Sequence, residues 1–139
     1  MRTRVIIFCA AALLLMTGSI NAEMTIIANP DVPGMSLSAS EVKEIFLGKR
    51  LKWPDNSRVN IVLSGDAGLH EAFLKNYIGR SPSQFEMHWR NMLFTGQAQI
   101  PAALKPDQEI INFVANTPGG IGYVSNRPES NNIKILSIK

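Results

Sequence analysis

Two spacings of apolar residues alternate along this chain. Met24 to Ala28, Val59 to Leu63, Ile121 to Val124 and Ile133 to Ile138 are short, β-branched runs with the length and composition of strands. Between them apolar residues recur at steps of three and four. Val42, Ile45 and Phe46 follow a Ser38–Glu41 capping box and stop at Gly48, while Leu69, Ala72, Phe73 and Tyr77 trace a second helical face ending near Gly79. Ser81, Pro82 and Gln84 open a third helix carrying Phe85, Trp89, Met92 and Leu93 or Phe94, closed by Gly96. Pro106 and Asp107 start a fourth, with Ile110, Ile111, Phe113 and Val114 on its buried side up to Asn116. Gln97 to Leu104 reads as irregular and Ser125 to Asn132 as a polar loop. The order strand, helix, strand, three helices, strand, strand predicts the α/β class: one mostly parallel sheet flanked by helices.

Sites in such sheets lie at the carboxyl ends of strands. That rule singles out two glycine-rich turns. Ser64, Gly65, Asp66, Ala67 and Gly68 join the second strand to a helix, so backbone N–H groups and the positive end of a helix dipole converge there, a setting that suits an oxyanion. Asp66 places a negative charge in the same turn, where it either caps its own helix or accepts a proton-bearing oxygen of a ligand. Thr117, Gly119 and Gly120 form a second candidate wall, and Gly122 within the following strand signals a close approach to the backbone. The cations Lys49, Arg50 and Lys52, just after Gly48, read as a solvated helix terminus or as a docking patch.

Charge changes meaning once the amino terminus is considered. Arg2 and Arg4 precede an apolar core, Val5 to Met16, and a small-residue exit, Thr17 to Ala22, the pattern of a signal peptide at 1–22. The core is shorter than the ~20 residues of a membrane span. Cleavage after Ala22 and periplasmic export of a single domain, 23–139, are the expectation. The full chain has 14 basic and 11 acidic side chains, net +3; the leader takes two arginines, leaving twelve against eleven, or +1. The electrostatic case for nucleic acid goes with it. So does Cys9, the one cysteine of the sequence, and with it disulfides and zinc–thiolate sites.

His70 lies one helical turn after Asp66, but the sequence holds only one other histidine, His88, placed mid-helix. No convergent set for a metal or a nucleophile–histidine pair assembles, so no catalytic residues, metal or cofactor are expected. A hydrolase would have to use Ser64 or His70.

The run Leu37-Ser38-Ala39-Ser40-Glu41-Val42-Lys43-Glu44-Ile45-Phe46-Leu47-Gly48-Lys49, then Lys52-Trp53-Pro54-Asp55, resembles the periplasmic phosphate-binding proteins of ABC importers, as does Phe113 to Val124 with its Gly-Gly-Ile-Gly-Tyr-Val ending. The resemblance implies one lobe of the type 2 periplasmic-binding-protein fold. Counted back from Phe73, the family's ligand turn falls on Leu63 for the arginine, Ala67 for the second serine and Leu69 for the threonine, with Ser64 and Gly68 matching; a shifted alignment pairs Ser64-Gly65 with the family's serine-glycine and puts Asp66 at the threonine, and neither restores the site. Losing the arginine removes a bidentate, charge-assisted contact. The expectation is an exported solute-binding-like module with weak affinity for phosphate or a similar oxyanion, acting as a transport accessory beside an envelope or membrane protein. The alternative is a ligand-free protein-interaction or sensor-input domain.

Overall fold

The computed structural model describes residues 24–139. The expected leader and its cleavage site lie outside the described residues. Among those described, no helix is long and apolar enough to cross a membrane.

The main sheet has the order β4-β3-β5-β1-β6, with β1 Thr25–Ala28, β3 Asn60–Ser64, β4 Ala102–Leu104, β5 Gly120–Val124 and β6 Lys134–Ile135. β4, β3 and β5 are mutually parallel; β1 runs against β5, and β6 against β1. Thus β1 alone is reversed within this sheet, and the expected mostly parallel α/β architecture holds. A second, parallel pair joins β2 Ser36–Leu37 to β7 Ser137–Ile138.

Side-chain alternation along the strands sorts the core into two layers. Ile26, Ala28, Leu63, Ile121 and Tyr123 meet α1 (Ala39–Phe46), α2 (Ala67–Phe73) with its π-helical continuation Leu74–Ile78, and α3 (Pro82–Phe94). Ile27, Val62 and Val124 face α4 (Asp107–Asn116) through Ile110 and Val114. Gly122 belongs to the second face. A Cβ there would lie 2.7 Å from Val62 and 3.0 Å from Ile110, so the close approach expected at this glycine is made by β3 and α4 together.

Both expected capping boxes form, Ser38 with Glu41 and Ser81 with Gln84. α3 also ties down the end of α1: His88 Nε2 donates to Leu47 O at 2.7 Å and Trp89 Nε1 to Phe46 O at 3.2 Å.

Two expectations need correction. Gln97 to Leu104 is not wholly irregular, because Ala102–Leu104 pairs with Val62–Ser64 as an edge strand. Alanine has little intrinsic strand preference, and here pairing with a neighbour decides. The last strand divides at Leu136, whose amide bonds Ile26 O while Ser137 N bonds Met35 O, so the chain crosses from the main sheet to the small one. Ser36–Leu37, which carries no strand signal of its own in the sequence, is the partner strand in that small sheet.

Candidate functional site

β3 ends at Ser64, buried at 4% exposure, and hands the chain to α2 through the glycine turn. The turn satisfies much of itself. Gly65 N donates to Leu104 O at 2.8 Å, Asp66 N to Ser64 Oγ at 3.1 Å, and Leu69 N to Asp66 Oδ1 at 2.9 Å. His70 N closes the first helical bond to Asp66 O. Asp66 is therefore the N-cap of α2, its carboxylate sitting where an anion would take the Leu69 amide. Leu63 and Leu69 do not plug the turn: Leu63 is buried in the core and Leu69 packs against its edge, while Gly65 to Gly68 are exposed.

The turn opens on a polar concavity of about 530 Å³ lined by Ser64, Asp66, Lys105, Pro106, Asp107 and Ser125. These residues come from the carboxyl ends of β3, β4 and β5 and from the start of α4, side by side because the three strands are parallel neighbours. Asp107 opens α4 as expected, and its carboxylate also accepts from Ser125 N at 2.9 Å and Ser125 Oγ at 2.5 Å, fixing the exit of β5. Lys105 is the cation of the lining, against the carboxylates Asp66 and Asp107.

Thr117, Gly119 and Gly120 do not join this site. Asn60 at the amino end of β3 is in register with Gly120, so this turn lies at the opposite end of the sheet from Ser64. There Gly119 O accepts from Trp53 Nε1 and Asn60 N, each at 3.0 Å, and Pro118 O accepts from Asn60 Nδ2 at 2.8 Å. The turn anchors the buried Trp53 indole.

Beneath the concavity Tyr123 links the end of β3 to α2. Its hydroxyl is 2.5 Å from His70 Nδ1 and is bonded by the backbone of Ser64. Burial pushes the phenol well above its ordinary pKa, so it stays protonated and pairs with His70 Nδ1 as a neutral hydroxyl. No described hydrogen bond joins Ser64 to His70, which leaves a hydrolase reading without its nucleophile–base contact.

Burial also holds His70 below its ordinary value of 6.5. The unfolded chain then takes up a proton that the folded chain resists. The stabilising contribution of neutral His70 is complete above about 6.5 and is lost as pH falls from there towards the depressed folded pKa. Urea titrations across this window should show wild type losing stability on acidification and His70→Phe losing less. Equal slopes for the two proteins would remove His70 as the cause.

No family model and no curated protein matches the sequence, but solved structures match the fold. A phosphate ABC transporter substrate-binding protein with bound phosphate from Clostridium perfringens superimposes with a TM-score of 0.63 at 19% identity, over 83% of this chain and 44% of that one. PstS from Borrelia burgdorferi gives 0.62 at 17%, over 84% and 47%. A phosphate-binding protein from Stenotrophomonas maltophilia gives 0.59 at 18%, over 84% and 39%. The chain spans less than half of each of them, a single-lobe counterpart of the fold.

Sequence reasoning found Ser64 and Asp66 but missed Lys105 and Ser125 as neighbours of the turn. The available signal was topological: once β4 is recognised as the strand beside β3, its carboxyl-terminal residue falls next to Ser64.

Proposed function

We propose that this protein is an exported solute-binding module of the cell envelope that takes phosphate or a related small oxyanion weakly, at the carboxyl ends of β3, β4 and β5. The open polar concavity beside the glycine turn carries this reading. Ser64 and Lys105 line it, and the amides of Ala67 and Gly68, at the start of α2, have no described protein acceptor. An unplugged site supports this over the ligand-free interaction or sensor reading.

Affinity is low for physical reasons. The cation Lys105 lines the concavity together with two carboxylates, and Asp66 already holds the Leu69 amide. Carboxylates accept hydrogen bonds only from a ligand that carries protons, so hydrogen phosphate is favoured over sulfate. With a Kd on the order of 1 mM, 10 mM phosphate adds about 1.4 kcal/mol of stability and raises Tm by roughly 5 °C. Sulfate at the same ionic strength should give a smaller rise, and Lys105→Ala, at an exposed position, should abolish the phosphate increment. Calorimetric titration to about 50 mM phosphate without heat, together with an unmoved Tm, would sink the proposal.

A further inference from the structure

At the other end of β3 a groove of about 550 Å³ runs beneath the strand's first residues, within the size range of pockets that engulf several side chains. Its walls are apolar, from Trp89, Phe113, Val59 and Ile61, and its lip carries Leu51 and Ile100, which are 55% and 50% exposed. Three cations line it: Arg50, Lys52 and Arg58. Lys52 and Arg58 come together because they form an antiparallel bridge across the Trp53 turn, a pairing invisible in the spacing of the chain. Arg50 is held 2.8 Å from Glu41; neither Lys52 nor Arg58 has an ion pair among the described residues, and no carboxylate lines the groove. The side-chain amides of Gln97 and Gln99 complete the lining.

We propose that this groove docks an acidic peptide segment of a partner protein, with apolar side chains seated between Trp89 and Ile100 and carboxylates meeting Lys52 and Arg58. Unbalanced positive charge selects the sign of the partner. The apolar walls select its anchoring side chains, and the glutamine amides suit a peptide backbone rather than hydrocarbon. A concave surface fits an inserted segment where a lipid surface would need a projecting apolar one. Of the two sequence readings of the cations after Gly48, the docking patch is the one this geometry develops, with Arg58 added to it. The groove does not depend on the proposed oxyanion site, which lies at the carboxyl end of the same strand.

The probe is a fluorescent peptide of roughly ten residues alternating Glu with Leu and Phe, titrated with the protein and followed by anisotropy and by backbone amide shifts. Binding on the order of 100 μM is expected for a weak, transient contact. It should weaken with added salt and fall roughly tenfold or more in K52E/R58E, whose side chains are exposed in the folded chain. Ile100→Ser should weaken it with no change in salt dependence, and shifts should gather on Arg50–Lys52 and Gln97–Ile100. The phosphate response should be the same in K52E/R58E as in wild type, so the two proposals stand or fall separately. Binding unchanged by K52E/R58E, shifts gathered on Ser64–Gly68, no binding at about 1 mM, or binding only to phosphatidylglycerol vesicles would each overturn the docking proposal.

Discussion

Gly119→Ala should lower stability by about 3–5 kcal/mol and Tm by well over 10 °C. Gly119 sits at φ +74°, where L side chains are strained, and an added Cβ would lie 1.9 Å from the Arg58 carbonyl oxygen. That atom is backbone and cannot turn aside. Relief requires the 117–120 turn to withdraw from the chain entering β3, and the two bonds that Gly119 O accepts, from Trp53 Nε1 and Asn60 N, stretch with it. Gly96→Ala is the matched control, because Gly96 has φ +70° but nothing within 4 Å of the added methyl. Its cost should be only the backbone term, about 1–2 kcal/mol. Urea unfolding of the pair separates strain from clash, and similar losses for both would show that the Arg58 contact is relieved cheaply.

Phe73→Ala should cost about 3–5 kcal/mol by emptying the centre of the first core layer. The ring is fully buried, stacks on Tyr123 with centroids 3.9 Å apart and 7° between planes, and meets Phe46 edge-on at 4.7 Å. Three elements lean on it: α1 through Phe46, α2 as its own helix, and β5 through Tyr123. The loss reaches the site as well, because Tyr123 holds His70 and the backbone of Ser64. Phe73→Leu, which retains most of the apolar contact, should recover more than half of the stability. Should Phe73→Ala lose less than about 1.5 kcal/mol, the aromatic stack would not be the keystone described here.

The helices were legible because their signals are local. Ser38 with Glu41, Ser81 with Gln84, and glycines 48, 79 and 96 act within a few residues of themselves, and all five glycine or capping positions behave as read, each of these glycines having φ near +70°. The glycine turn was legible for the same reason, and so was the self-capping role of Asp66. What the spacing did not carry was everything that depends on which strand lies beside which. β4 is three residues of weak propensity and exists through its pairing with β3. That pairing brings Lys105 to Ser64, and the β3–β5 pairing brings Ser125 to the same place.

The glycine turns show the division most directly. Both read as candidate walls, and their local composition gives no way to rank them. Parallel registration of Asn60 with Gly120 puts one at each end of the sheet, where the second becomes an anchor for Trp53. By itself the sequence determined the helix caps and stops and enough of the alternation of strands and helices to give the α/β class, since periodicity and capping are short-range effects. Only the tertiary structure decided that Ser64, Lys105 and Ser125 share one concavity while Lys52 and Arg58 share another. Strand order and register are set by the joint packing of distant segments, and no single segment encodes them.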